Sequence, residues 1–137
     1  MSEKDMIRAI LVQPGKPAKS IEFEHTLEEM QRLVGGGLIQ QIRPFEDDAV
    51  LICNDEGKLL GMPLNRAFYD KQGRMYDIIA GDFFICRAPA GSDTYTSLTE
   101  EQVKKYTKQF QYPEVFYKML GRIEVAKIKP RDMIYER

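Results

Sequence analysis

The sequence is poor in the residues from which metal and redox sites are built. Its 137 residues include one histidine, two cysteines and no tryptophan. Cys53 and Cys86 are far apart and each ends an apolar run, and His25 has no cysteine or histidine at ligand spacing. Metal sites need clustered ligands, so the sequence predicts no metal and no cofactor. We expect both cysteines to be reduced and buried, with a disulfide as the alternative, and His25 to lie at the surface.

Long apolar stretches are also missing from the sequence. The first residues are polar or acidic and precede only a short apolar run, which fits neither a signal peptide nor a helix that spans a bilayer. Apolar residues make up 43% and charged residues 30% of the chain, a balance typical of a folded domain. We therefore expect a folded cytoplasmic protein that does not bind membranes.

Familiar catalytic motifs are absent from the sequence. The chain has no Gly-x-Ser-x-Gly elbow, no Walker loop, no His-Glu-x-x-His, and no Cys-His pair with a second histidine. The remaining catalytic hypothesis is a pair of carboxylates, for which Asp77 and Asp82 are the candidates. We predict no catalytic residues and keep the carboxylate pair as an alternative.

Charge is distributed unevenly along a chain whose net charge is −1. Residues 1–103 carry 11 Lys and Arg against 17 Asp and Glu, net −6, whereas residues 104–137 carry 9 against 4, net +5. A basic end can contact nucleic acid or pack on the acidic body of its own protein. No aromatic residues are interleaved as in a base-stacking platform, which argues against a nucleic-acid partner. The length predicts one domain over residues 1–137, with its core at about 6–120 and a basic extension at 121–137.

Five short apolar or alternating runs in the first half of the chain predict β-strands. The second strand is expected to pair with the first. The last three are separated by short turns and should form an antiparallel meander, with Gly57 at positive φ in its second turn. The five predicted strands are residues 6–13, 21–24, 38–45, 49–54 and 58–62.

Two capping boxes mark the starts of helices. Thr26 with Glu29 and Ser97 with Glu100 have the required spacing, and apolar residues follow each pair at helical intervals. Glycines 35–37 should end the first helix. Three glycines could also cradle a phosphate, but such a loop follows a strand and opens a helix, whereas this one has the reverse order.

The second half of the chain mixes turns with apolar runs. We predict a turn or short helix from residue 63, a core strand at 78–86, a short helix at 114–120 that ends at Gly121, and a final strand at 123–129. With the segments above, the predicted fold class is α+β. Its architecture is a mostly antiparallel sheet of five or six strands with two main helices packed against it.

Four short motifs lie at the ends of these segments. They are Val34-Gly35-Gly36, Asn54-Asp55-Glu56-Gly57-Lys58, Pro63-x-Asn65-Arg66 and Gly81-Asp82-Phe83. In these motifs the chain resembles a family of uncharacterised proteins, known only as a domain of unknown function, from bacteria, phages and integrated or conjugative elements. The resemblance covers roughly residues 6–118 and implies no particular activity.

The Asn65-Arg66 pair raises a choice between a structural and a binding role. Arg66 could bind Asp48 or backbone carbonyls and tie a turn to the sheet, while Asn65 caps that turn. Alternatively, Asn65 and Arg66 could bind a phosphate or carboxylate with Lys58 or Arg43, because a guanidinium matches the shape of such anions. The first interpretation is favoured. The candidate ligand-binding residues are Asn65, Arg66, Lys58 and Arg43.

Two functions are consistent with these features. The first is a small accessory protein of a phage or mobile genetic element that binds a host protein without catalysis. The alternative is a protein that binds or sequesters a small anionic ligand, such as a nucleotide. A pocket lined by Arg66 and aromatic residues would favour the ligand, and an exposed apolar patch would favour the partner protein.

Overall fold

The computed structural model describes residues 5–129 and shows an α+β protein, as the sequence predicts. Neither helix in this part of the chain has the length and apolar content needed to cross a membrane. The helices are α1 (Leu27–Leu33) and α2 (Glu100–Gln109). The strands are β1 (Met6–Val12), β2 (Lys19–Glu24), β3 (Ile39–Ile42), β4 (Ala49–Asn54), β5 (Leu64–Tyr69), β6 (Met75–Ala80), β7 (Phe83–Arg87), β8 (Glu114–Met119) and β9 (Arg122–Lys127).

Five strands form the central sheet in the order β2–β1–β7–β4–β3, and all neighbours are antiparallel. Side chains alternate between its two faces. Val50, Ile52 and Phe84 pack on the side of α1. Leu51 and Ile85 pack on the opposite side, against α2 and the two-stranded β5–β6 ribbon. Burial of each such side chain contributes about 1.5–3 kcal/mol to the free energy of folding. Because both faces of the sheet are covered, the sequences of β4 and β7 are continuous apolar runs.

Helix α1 begins and ends where the sequence predicts. Thr26 Oγ1 accepts a hydrogen bond from Glu29 N at 3.1 Å, which confirms the N-cap. The reciprocal half of the predicted capping box is wrong, because Thr26 N donates to Glu24 O and the Glu29 carboxylate accepts from Arg32 Nε. At the other end, Gly35 and Gly36 both adopt positive φ, and their amides donate to carbonyls of the last helical turn. These paired bonds form a Schellman motif, so the glycines close the helix.

The start of α2 differs from the prediction by two residues. Thr99 is the N-cap, and its reciprocal partner is Gln102. The backbone N of Gln102 donates to Thr99 Oγ1, and the side-chain Oε1 of Gln102 accepts from Thr99 N. The predicted box of Ser97 with Glu100 is wrong. Ser97 Oγ instead accepts a hydrogen bond from Arg8 N at 2.8 Å, which attaches the segment before α2 to β1.

Residues 55–61 form a turn and residue 62 is not in a strand, so the strand predicted at 58–62 is wrong. Leu60 N donates to Glu56 O at 2.9 Å, as in a single helical turn, and Leu59 and Leu60 remain exposed. The apolar run therefore lies on the surface. The predicted three-stranded meander is reduced to the β3–β4 pair, and the second neighbour of β4 is β7.

Gly57 is required for a different reason from the predicted one. Its φ is not positive; in the same turn Gly61 is the residue with positive φ, at 70°. A Cβ atom on Gly57 would lie 2.7 Å from the carbonyl oxygen of Ala80. The glycine thus allows the turn to approach the backbone of β6 closely.

The chain from residue 63 forms strand β5 rather than the predicted turn or short helix. Strand β5 pairs with β6 in an antiparallel ribbon that contains two irregularities of register. The single strand predicted at residues 78–86 is divided at Gly81, where φ is 83°. Gly81 N donates to Pro63 O at 2.7 Å. The chain therefore passes at Gly81 from the ribbon into the central sheet.

Residues 114–119 form strand β8, so the short helix predicted there is wrong. Strands β8 and β9 make a hairpin, here called the C-terminal hairpin, whose turn is Leu120-Gly121. Both turn residues have positive φ, 52° and 79°, which is typical of a type I′ turn. The predicted final strand is confirmed as β9, and Gly121 closes a hairpin instead of ending a helix.

Candidate functional site

Asn65 lies on β5 with its side chain completely buried. Its Nδ2 donates to Val12 O and to Gly81 O, both at 2.9 Å. These carbonyls belong to the end of β1 and to the turn between β6 and β7. Asn65 therefore joins the ribbon to the central sheet. The predicted role of Asn65 as the cap of a turn is wrong.

Arg66 is also completely buried, with 0% of its surface exposed. Its Nη1 donates to Asn65 Oδ1 at 2.8 Å, and its Nη2 donates to Lys16 O at 2.7 Å and to Phe110 O at 3.0 Å. Burial lowers the pKa of Arg66, and the nearby carboxylate of Glu114 opposes that shift. The guanidinium thus ties the loop after β1 and the end of α2 to β5.

The tie through backbone carbonyls is one of the two arrangements predicted for Arg66. The other, a bond to Asp48, is wrong, because Asp48 has different partners. Its carboxylate lies 3.2 Å from Arg87 Nε and accepts from Gln102 Nε2 at 2.9 Å. Asp48 therefore holds β7 and the first turn of α2, whereas Arg66 binds the carbonyl of Phe110 at the end of that helix.

The remaining predicted residues lie elsewhere on the molecule. Lys58 Nζ is 2.7 Å from Asp77 Oδ1, at the edge of a polar cleft of about 280 Å³ between the 55–59 turn and β6. Arg43 is exposed beside a second cleft of about 220 Å³ that is also lined by Ser92, Thr94 and Tyr95. Asn65 and Arg66 are adjacent, but the structure brings neither Lys58 nor Arg43 to them.

The two candidate catalytic carboxylates, Asp77 and Asp82, bind different partners. Asp77 accepts from Lys58 Nζ and from its neighbour Ile78 N at 2.8 Å. Asp82 Oδ2 accepts from Gln13 Nε2 at 3.0 Å. Each carboxylate is thus oriented by its own contacts.

The two cysteines are buried and free, as the sequence predicts. Burial raises the pKa of Cys53 to about 11, with a further contribution from the negative charges of Asp77 and Asp55. Burial alone raises the pKa of Cys86 to about 12. Both thiols are therefore protonated near neutral pH and poorly nucleophilic.

A thiol reagent should consequently modify the native protein slowly at both cysteines. Only the thiolate reacts, and burial suppresses both its formation and its accessibility. With a chromogenic disulfide reagent at neutral pH we expect little release of colour until denaturant is added, and then rapid reaction of Cys53 and Cys86. Fast labelling of the native protein would contradict the buried placement.

Asp47 attaches α2 to the segment before β4. Its Oδ1 accepts from Tyr106 Oη at 2.7 Å and from Ala49 N at 2.9 Å, and Lys105 Nζ lies 3.5 Å from Oδ2. Burial by itself would raise the pKa of Asp47, but these hydrogen bonds and the lysine lower it overall. Burial and the facing carboxylate raise the pKa of Tyr106 in turn.

The lowered pKa predicts a stabilisation that depends on pH. Because Asp47 binds its proton less tightly in the folded state, its contribution is complete above the unfolded value of about 3.9 and disappears as pH falls through the lower folded value. Urea unfolding should therefore show Asp47→Asn clearly less stable than wild type at about pH 6, with a smaller difference at about pH 3. A constant difference across that range would contradict the assignment, and exposed Asp93→Asn serves as the control.

An apolar groove lies between the β5–β6 ribbon and the C-terminal hairpin. It consists of two adjoining cavities of about 350 and 200 Å³ that share Leu64 and Ile123. Tyr76 and Tyr117 flank it, 55% and 44% exposed. No sequence pattern predicts this groove, because it exists only when residues 114–119 form a strand. The lining residues are Lys58, Leu64, Met75, Tyr76, Asp77, Ile78, Phe116, Tyr117, Lys118 and Ile123.

Most of the described fold lies within the part of the chain that matches a known family. A family described as a domain of unknown function, DUF3846, matches residues 7–111. The chain belongs to the DUF3846 family. The matched range contains both helices and strands β2–β7, with nearly all of β1. The Asn65-Arg66 tie lies on β5 within this range, whereas the C-terminal hairpin lies beyond it.

Other comparisons add no functional information. No curated protein and no solved structure matches the chain.

Proposed function

We propose that this DUF3846 protein is a small accessory protein of a phage or mobile genetic element that binds a host protein without catalysis. The observation that carries the proposal is the exposed apolar surface formed by the groove and the C-terminal hairpin. Within residues 5–129 the hairpin exposes Val115, Tyr117 and Met119 on one face and Ile123 on the other, each by 39% or more. Concentrated exposure of large apolar side chains is typical of a protein interaction site.

The placement of Arg66 argues for this function over binding of a small anion at the same residue. Its two terminal nitrogens are occupied by Asn65 Oδ1 and by the carbonyls of Lys16 and Phe110. An anion could reach the guanidinium only after the loop after β1 and the end of α2 had separated. Arg66 therefore stabilises the fold that supports the apolar surface.

Aromatic and methionine side chains supply the binding energy in this proposal. Such residues are enriched at the centres of protein interfaces, where a few of them dominate the affinity. Removing one large apolar side chain from water contributes about 1.5–3 kcal/mol. Tyr117 and Met119, which are 44% and 53% exposed, are the natural anchors.

The test compares capture of host proteins by three forms of the chain. The wild type should retain a host protein that the double variant Tyr117→Ser with Met119→Ser loses. The matched control, Leu27→Ser with Leu38→Ser, removes two side chains of similar exposure near α1 and β3 and should retain it. The captured protein, once purified, should bind wild type directly. Equal capture by all three forms, or no capture, would overturn the proposal.

The Arg43 cleft supports a second candidate function, binding of a small anion. Within residues 5–129 Arg43 has no carboxylate partner, and the hydroxyls of Ser92, Thr94 and Tyr95 line the same cleft, as does Asp93. The guanidinium is the phosphate-binding group of this cleft, because the hydroxyls of Ser92, Thr94 and Tyr95 donate to Thr94 O, Tyr95 O and Gln41 Oε1. The carboxylate of Asp93 weakens its attraction for an anion.

Titration with inorganic phosphate, followed by amide chemical shifts, tests the anion candidate. If it is correct, residues 92–95 should shift in the wild type and not in Arg43→Gln. Arg66 and its neighbours should be unaffected in both forms. Absence of a saturable shift in the wild type would exclude phosphate binding at the cleft.

A further inference from the structure

The strand register determines which side chains share a face of the C-terminal hairpin. Directly opposed residues of an antiparallel pair point to the same face, and successive residues of a strand point to opposite faces. Lys118 opposes Ile123, and both line the apolar groove, so this pair defines the inner face. The opposite face, here called the outer face, consists of Val115, Tyr117 and Met119 on β8 and Arg122, Glu124 and Ala126 on β9.

The outer face carries a cation and an anion. Arg122 is exposed and Glu124 is half-buried, and the two are separated by a single residue on β9. Within residues 5–129 neither side chain has an ion-pair partner. An occupant of the face that pairs both charges must therefore present an anion beside Arg122 and a cation beside Glu124.

Large apolar side chains occupy most of the remaining outer face and the tip of the hairpin. Tyr117 and Met119 are 44% and 53% exposed, and Leu120 in the turn is 91% exposed. Burial of such side chains against another surface is favourable. The hairpin is held at its base, where Glu114 Oε1 accepts a hydrogen bond from Ala67 N on β5 at 2.9 Å. The exposed face thus belongs to a hairpin that is attached to the rest of the fold.

The positions of the two charges match those on a second copy of the same face. When two hairpins pack face to face about a two-fold axis that runs across the strands, each strand lies antiparallel over its own copy. An axis at the level of the Lys118–Ile123 pair places residues that are equally distant from that level over each other. Arg122 of each copy then lies over Glu124 of the other, because these residues lie directly before and after Ile123. Both charges are therefore paired in both copies.

The same axis matches the apolar side chains. Tyr117 of each copy lies over Met119 of the other, and a thioether beside an aromatic ring is a favourable contact. Val115 lies at the level of the turn of the other copy, next to Leu120. An axis parallel to the strands would instead place Tyr117 over Glu124 and leave the charges unpaired. The complementarity therefore selects one arrangement.

We propose that two copies of this chain form a homodimer through the outer faces of their C-terminal hairpins. A two-stranded hairpin is small for a protein interface, so the dimer should be weak and reversible. Tyr117 and Met119 are also the anchors assigned to a host protein. We therefore expect the dimer to withhold this face until the host protein displaces the second copy. This competition rests on the proposed function, whereas dimer formation does not.

Reversal of either charge tests the arrangement. The wild type should show a reversible monomer–dimer equilibrium in sedimentation equilibrium. In Arg122→Glu and in Glu124→Arg both charge contacts across the axis become repulsive, so each substitution should raise the dissociation constant of the dimer about tenfold or more. The matched control is Lys118→Glu, which makes the same change of charge as Arg122→Glu but on the inner face, and it should dimerise like the wild type.

Two rescue experiments separate loss of complementarity from loss of folding. An equimolar mixture of Arg122→Glu and Glu124→Arg should form a heterodimer, because each contact across the axis then joins opposite charges. The double variant Arg122→Glu with Glu124→Arg should dimerise about as well as the wild type for the same reason. Circular dichroism melts establish that each variant is folded.

A wild type that remains monomeric would overturn the homodimer, as would a charge-variant mixture that does not associate. A dimer that is equally stable in Arg122→Glu would use another surface and would also overturn it. Capture of a host protein by a chain that stays monomeric would assign the outer face to that protein and contradict only the homodimer. A dimer with these charge responses but without capture of a host protein would contradict only the proposed function.

Discussion

Replacement of Arg66 by methionine is expected to lower the free energy of unfolding by about 3 kcal/mol. Methionine keeps an apolar stem of similar length but donates no hydrogen bonds. The substitution would leave Asn65 Oδ1 and Lys16 O without a donor, whereas Phe110 O would keep the hydrogen bond that it accepts from Ala18 N. Each buried acceptor left unpaired costs about 1–3 kcal/mol, and removal of a buried charge offsets part of the sum.

Urea unfolding measures this loss, and two further variants interpret it. Arg66→Lys should be intermediate, because an ammonium cannot reproduce the planar fork that serves three acceptors. Arg43→Met, at an exposed position, should change the unfolding free energy by no more than about 0.5 kcal/mol. If Arg66→Met unfolded at the wild-type urea concentration, the structural role assigned to Arg66 would be wrong.

The sequence predicts those strands whose pattern has a single interpretation. The apolar runs of β1 and β4 and the alternation of β2 are too short for helices, and each forms the expected strand. Residues 114–119 fit both periods, because Val115, Phe116 and Met119 could lie on one helical stripe. The hairpin turn that follows and the attachment of Glu114 to β5 decide in favour of a strand. Neither is visible in the local pattern.

At the Asn65-Arg66 site the sequence shows the motif but not the atoms that it binds. Asn65-Arg66 stands out in the sequence, and a tie to backbone carbonyls is one predicted role. Its acceptors are distant in the chain, since Lys16 is 50 residues and Phe110 44 residues from Arg66. Backbone carbonyls carry no sequence signal, so no pattern could identify them. The groove was missed for the same reason, because Leu64 and Ile123 meet only through the fold.

Gly57 shows how a correct residue can be predicted for the wrong reason. Glycine in a turn predicts positive φ, and Gly61 satisfies that rule in open space. Gly57 instead faces the Ala80 carbonyl oxygen, 2.7 Å from where a Cβ would lie. The constraint is a contact between the turn and β6. A local turn pattern contains no information about that contact.

Gly57→Ala should therefore destabilise the protein more than Gly61→Ala, although both add one methyl group to the same turn. The Gly57 variant must displace the turn or the end of β6, an overpacking cost of about 2–3 kcal/mol. The Gly61 variant meets no atoms and costs about 1 kcal/mol through its positive φ. Urea unfolding gives the order, and amide chemical shifts locate the strain: Ile79 and Ala80 should shift in Gly57→Ala and remain in place in Gly61→Ala. Equal unfolding free energies with unshifted β6 amides would show that the close approach of the turn to Ala80 is not a constraint.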